Sequence, residues 1–181
     1  MATRVTLTYA DYAAIPNDGR RYEVHEGELA VTPTPSPRHQ QLSRNLLVLL
    51  HAYVGRHGLG EVLVAPIDCI LDDTTVVQPD LVFVARDRLA SISARGIEGA
   101  PGLVVEVLSP TTVQIDRGVK AQLYARHGVP CYWIVDLDAR VIEAHVLRAG
   151  AYAPAGRLEA ARPAALPPFP ELTLDPAALW P

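Results

Sequence analysis

The stretch Pro101–Lys120, PGLVVEVLSPTTVQIDRGVK, decides the fold. Within it, Leu103–Leu108 is apolar on both faces except at Glu106, the pattern of a central strand covered from both sides. The Ser109-Pro110 turn follows. Asp116–His127 then reads as a helix, with Asp116 as its N-cap and Gly128 just past its end. Cys131–Val135 is the next strand. A helix joining the two strands is a crossover, and this makes them parallel.

Working outward, Thr8–Ala14 reads as a short helix capped by Thr8, and Asn17-Asp18-Gly19 as a turn. The segments Arg21–His25 and Glu28–Thr32 alternate as a hairpin around Glu26-Gly27. Prolines 33, 35 and 37 form a rigid connector. In Arg38–His57, Leu42, Leu46, Leu49, Leu50, Tyr53 and Val54 recur at helical spacing. Glu61–Ala65 and Ile67–Leu71 are strands parted by Pro66, and Asp72–Thr75 is a polar turn. The strand after Pro79 starts at Asp80 or Leu81, and 86–99 is a loop with one helical turn. Strands without helices between 61 and 108 suggest an antiparallel meander. Cys131–Val135 and Val141–Leu147 pair through Asp136–Ala139, and the tail adds a strand near Arg157–Glu159 and a packed segment, Leu172–Trp180. The expected class is α/β (α+β), a central mixed β-sheet flanked by helices with an N-terminal β-hairpin. One domain is expected, with its core over about residues 8–148 and 149–181 packed on it as a C-terminal extension.

Chemistry concentrates on few residues. A carboxylate buried inside Leu-Val-Val-Glu-Val-Leu must be paired with a cation such as arginine, protonated, or bound to metal. Asp80 opens the apolar run 81–84. If that strand neighbours 103–108, Asp80 and Glu106 converge, and acids within ~4–6 Å repel unless a cation lies between them. Mg²⁺ suits one or two carboxylates completed by water and phosphate oxygens. Of the sixteen basic residues, fifteen are arginine, and the one lysine is Lys120. A compact ammonium with a movable pKa is the property arginine lacks. Asp116 and Lys120 lie four apart on one helix face. Asp116 reads as a cap that also positions Lys120. Tyr124, one turn after Lys120, reads as core, with packing beside the site as the alternative, and Tyr132 and Trp133 read as core. The acids at 72 and 73 read as turn chemistry.

Composition closes off other classes. The net charge of −4 argues against a broad basic surface that coats nucleic acid. No apolar run approaches the ~18 residues of a membrane span. MATRVTLTYADY lacks the basic-then-apolar order of a signal peptide, so the expected location is cytoplasmic. Cys69 and Cys131 lack zinc or redox spacing and read as buried free thiols.

The set Gln78-Pro79-Asp80-Leu81, Glu106-Val107-Leu108-Ser109-Pro110, Asp116, Lys120, Gly128-Val129-Pro130 and Tyr132–Asp136 resembles the Uma-two family, within the PD-(D/E)xK nuclease superfamily. Tyr22-Glu23, Gly27-Glu28-Leu29 and His39 fit as well. The resemblance implies a restriction-endonuclease-like core and a metal-dependent endonuclease acting on nucleic acid, with DNA expected. It implies Mg²⁺, replaceable by Mn²⁺, on Asp80, Glu106 and the backbone carbonyl of Val107. It makes Lys120 the third catalytic residue, with His39, Glu23 and Asp116 in support, and it is compatible with a homodimer. The superfamily motif places its lysine two residues after the glutamate, where this chain has Leu108. The alternative is a catalytically silent nuclease fold that binds nucleic acid or a protein partner.

Overall fold

A computed structural model describes residues 5–181; residues 1–4, which begin the stretch read for a signal peptide, lie outside the described residues. In chain order the elements are α1 (Tyr9–Ala13), β1 (Arg21–His25), β2 (Glu28–Thr32), α2 (Pro37–His57), β3 (Gly60–Val64), β4 (Cys69–Asp72), β5 (Thr75–Val77) and β6 (Leu81–Ala85). A 3₁₀ turn over Arg86–Ser91 leads to β7 (Ile92–Ser93), β8 (Gly96–Glu98) and β9 (Leu103–Val107). A π-helical segment, Ile115–Lys120, runs into α3 (Ala121–Arg126). Then come β10 (Cys131–Asp136), β11 (Val141–Arg148), β12 (Ala151–Leu158), β13 (Ala164–Leu166), β14 (Phe169–Leu174) and α4 (Pro176–Leu179).

Two six-stranded sheets form the body. The central sheet has the order β12-β11-β10-β9-β6-β3, and the second has β2-β1-β5-β4-β8-β7. All five residues of β9 are buried. This strand lies parallel to β10 and antiparallel to β6, as the crossover helix requires. Its side chains alternate. Leu103, Val105 and Val107 pack with Leu42, Leu46, Leu50 and Val54 of α2 and with Trp133 and Phe169. Val104 packs the other way, against Leu123 and Tyr124 of α3 and Cys69, Val77 and Ile97 of the second sheet. Period-two alternation therefore turns Glu106 toward the layer that holds α3 and the second sheet.

The N-terminal elements follow their local chemistry. Thr8 caps α1 through a reciprocal box with Asp11. In the β1–β2 hairpin the two loop residues, Glu26 and Gly27, sit at φ +50° and +81°, as a type I′ turn demands. Ser36 caps α2, which ends at Gly58. At Gly60, with φ +149°, a Cβ would fall 2.0 Å from the Val84 carbonyl oxygen, so only glycine lets β3 start against β6. Both cysteines are buried and free. Among the described residues no helix is long and apolar enough to cross a membrane.

Four expectations need correction. The strands between 61 and 108 do not form one meander. Pro66 and Pro79 break the run, and the chain leaves the central sheet after β3, makes the β4–β5 hairpin in the second sheet, and returns at Leu81. The loop 86–99 contains the small β7–β8 hairpin, and the tail strand is the eight-residue β12, followed by the β13–β14 pair. Finally, Asp116 is no N-cap. Its N–H already donates to the Thr112 carbonyl at 2.9 Å, inside the helical turn, and its side chain is buried. Ser109 closes the preceding turn instead, with its Oγ accepting the Thr112 N–H at 3.2 Å.

Leu46 is fully buried where α2 meets the central sheet. Leu46→Ala is expected to lower stability by about 2–5 kcal/mol through lost burial and an unfilled cavity. Urea unfolding checks this, with the midpoint falling and the slope unchanged.

Candidate active site

Backbone register brings the first two carboxylates together. Leu81 pairs with Val105 across antiparallel β6 and β9. One step further along the same register sets Asp80 beside Glu106. Asp80 is fixed through one oxygen, Oδ2, which accepts the Val107 N–H at 2.8 Å and the His39 Nε2–H at 3.1 Å. His39 stands in the first turn of α2, where the Ser36 cap holds its own N–H. The Ser43 hydroxyl donates to the His39 carbonyl at 2.9 Å and lies 3.4 Å from Nδ1. Leu108 N–H donates to Val135 on the β10 side. The alternating ladder therefore turns the N–H and C=O of Val107 to the opposite side, that of Asp80.

Lys120 supplies the cation. Its Nζ donates to Glu106 Oε1 at 3.0 Å and to Glu23 Oε1 at 2.9 Å, with Asp116 Oδ1 at 3.9 Å. Glu106 thus has a buried ion pair, and its partner is lysine rather than arginine. Glu23 comes from β1. It also accepts the Gln78 N–H at 2.7 Å and the His25 Nε2–H at 3.0 Å. Arg21 holds Gln78 in turn, donating to its side-chain and backbone oxygens, each at 3.0 Å. Tyr124 satisfies both sequence readings. Its ring is core, but its hydroxyl donates to Glu106 Oε1 at 2.6 Å.

Three carboxyl groups, Glu23, Glu106 and Asp116, thus lie within 4 Å of a single ammonium, with Asp80 beside Glu106, and all four are buried. Their protonation divides accordingly. Burial pushes Glu23 up, but the Lys120 charge, the His25 bond and the Gln78 N–H outweigh it and hold the carboxyl at about 2. Burial lifts Glu106 well above the usual carboxylate range. Lys120 opposes that rise, while Asp116, Asp80 and Glu23 add to it. Burial likewise raises Asp116. For Lys120, burial pulls downward and is overcome by Glu106, Glu23 and Asp116, so the ammonium is held above its ordinary value.

Asp80, Glu106, Val107, Asp116, Lys120 and His39 line one cavity of about 310 Å³, walled by the 32–36 connector and the 108–112 turn. Glu23 does not reach it. It opens with His25, Asp116 and Lys120 on a neighbouring cavity of about 320 Å³. Asp72 and Asp73 stay in their turn, where Asp72 Oδ1 accepts the Thr74 N–H at 2.8 Å. Among the described residues, no three His, Cys, Asp or Glu side chains gather into a ready-made metal cluster. Three carboxylates line the cavity, Asp80, Glu106 and Asp116, and the first two each have one oxygen already engaged. Among the described residues, Asp80 Oδ1 and Glu106 Oε2 receive no hydrogen bond, and neither is a sealed orphan. Two carboxylate oxygens and the Val107 carbonyl form a hard-oxygen donor set. That set fits a divalent ion completed by water and phosphate, and it does not fit a closed zinc site.

The family described as "Uma2: Putative restriction endonuclease" matches residues 9–177. The chain belongs to the Uma2 family. A crystal structure at 1.96 Å of a "putative nuclease belonging to DUF820" from Anabaena variabilis ATCC 29413 has the same fold. Its TM-score is 0.78 over 96% of this chain and 97% of that one, at 19% identity. No curated protein matches the sequence. Family membership and fold together make this chain nuclease-like.

Glu23 carries the pH dependence that is simplest to read. Its folded pKa of about 2 lies below the ordinary 4.5, so its contribution to stability is present above pH 4.5 and lost as the pH falls toward 2. A shift of that size is on the order of 3 kcal/mol. Chemical denaturation from pH 7 to 2 is expected to show Glu23→Gln less stable than wild type at neutral pH, with the gap closing between pH 4.5 and 2.

Proposed function

We propose that the chain is a divalent-metal-dependent endonuclease that hydrolyses nucleic-acid phosphodiester bonds, with DNA as the expected substrate. The observation that carries this reading is the pair of unengaged oxygens, Asp80 Oδ1 and Glu106 Oε2, opening on one cavity beside a buried ammonium. Family membership supports the reaction class. Asp80, Glu106 and the Val107 carbonyl would hold Mg²⁺ or Mn²⁺. When bound, such an ion polarises a phosphate oxygen and lowers the pKa of water.

The chain's own residues divide the remaining tasks. Lys120 is clamped by Glu106 and Glu23 and stays charged, so it is a donor toward water or phosphate oxygen and a stabiliser of developing negative charge. His39 fixes the orientation of Asp80, and Glu23 on β1 holds Lys120. Asp116 adds a negative charge beside the ammonium.

With Mg²⁺ or Mn²⁺, wild type is expected to cleave a panel of DNA and RNA substrates, and chelation is expected to abolish the cleavage. Asp80→Ala, Glu106→Ala and Lys120→Ala should each lower the rate by at least about 100-fold. Cleavage retained by all three variants, or persisting in excess chelator, would overturn the assignment. Nucleic-acid binding without cleavage at any divalent-metal concentration would favour the silent nuclease fold.

A further inference from the structure

We propose that Tyr124 is a positioning residue for Glu106: it pins Oε1 inside the protein and so holds Oε2 toward the cavity for the divalent ion. This rests on the metal-dependent reading above. The terminal torsion of a glutamate is soft and nearly two-fold, so a buried carboxylate can turn unless a rigid group stops it. Two donors meet Glu106 Oε1, Lys120 Nζ at 3.0 Å and the Tyr124 hydroxyl at 2.6 Å. They are not equivalent. Lys120 rides on a flexible four-carbon stem and is shared with Glu23, so it can follow a turning carboxylate. Tyr124 cannot.

Its ring is fully buried, packed against Tyr132 with centroids 5.2 Å apart, and it belongs to the core around Val104 and Leu123. The hydroxyl is therefore fixed in space, and no other hydrogen bond of that oxygen is present among the described residues. Tyr124 also follows Lys120 by four residues, so one helical face delivers both donors to one oxygen. Groups that orient a metal ligand without touching the metal typically change affinity 10–100-fold when removed.

The test is calorimetric titration of the full chain with Mn²⁺ alone, for wild type, Tyr124→Phe and Tyr152→Phe. Tyr124→Phe removes one oxygen and keeps the ring. Tyr152 donates to the Val129 carbonyl, away from the carboxylates, and serves as the control. Tyr124→Phe is expected to bind Mn²⁺ about 10-fold more weakly, with Tyr152→Phe unchanged. In cleavage assays the Mn²⁺ concentration for half-maximal rate should rise by the same factor, while the rate at saturating Mn²⁺ stays within a few-fold. Equal Mn²⁺ affinity in wild type and Tyr124→Phe, or a fall confined to the saturated rate, overturns the positioning role and leaves the metal-dependent reading intact. Absence of Mn²⁺ binding by wild type overturns both. Should Tyr124→Phe not fold, 3-fluorotyrosine placed at position 124 reports instead. Its fluorine resonance is expected to move on adding Mg²⁺, and an unmoved resonance counts against the proposal.

Discussion

One ammonium ties the two sheets together. Lys120 donates to Glu106 on the central sheet and to Glu23 on the second sheet, and it is itself buried. An isolated charge of that kind costs several kcal/mol to bury, and the arrangement holds only because both partners are present at once. Neither sheet alone could complete it. The β1–β2 hairpin must lie against β5 for Glu23 to be in reach, and Val24 paired with Val76 fixes that contact. The same ion pairs that assemble the layers therefore also set the geometry of the cavity.

Charge in the cluster is unbalanced by design of the fold. Three buried carboxyl groups face one lysine and a fourth, Asp80, stands beside Glu106, with His25 and His39 at the periphery. Glu23 has three donors around it, Lys120, His25 and the Gln78 N–H, and its carboxyl is held low. Glu106 bears the remainder of the repulsion, and burial drives it toward protonation. Extra positive charge on the cavity side would relieve this. In a closed structural salt bridge every carboxylate oxygen would already have its donor, whereas among the described residues Asp80 Oδ1 and Glu106 Oε2 have none.

The architecture near β9 was largely legible in the sequence, because a run apolar on both faces and a helix between strands leave little freedom. The pairing of Asp80 with Glu106 followed once their strands were neighbours. The second sheet was hidden. β5 and β8 are three residues each and β7 two, too short for an alternation to register, and Val77 and Ile97 gain their burial by packing with residues of the central sheet. Asp116 misled for a local reason. An acid at the apparent start of a helix looks like a cap, but the turn beginning at Ser109 had already started the helix. Tyr124 was half legible: helical spacing puts its ring in the core, but no spacing tells where a hydroxyl points. Gln78 contributes through its backbone N–H, and a backbone donor leaves no signature in residue type.

The sole lysine now has a physical account. Two carboxylate oxygens from different sheets converge on one nitrogen at 2.9 and 3.0 Å. An arginine spreads its donors over a planar fork and favours paired oxygens of one carboxylate. Placed at position 120, it would draw Glu23 and Glu106 to different nitrogens, and the Tyr124 bond to Glu106 Oε1 would have to lengthen or break. The arginine-rich composition elsewhere fits exposed positions such as Arg38, Arg95 and Arg157, where a forked donor meets a flexible carboxylate in water and little depends on the exact geometry. The lysine also need not come from the strand. Leu108 takes the position two after Glu106, and the π-helical segment delivers the ammonium from the next element to Glu106 Oε1.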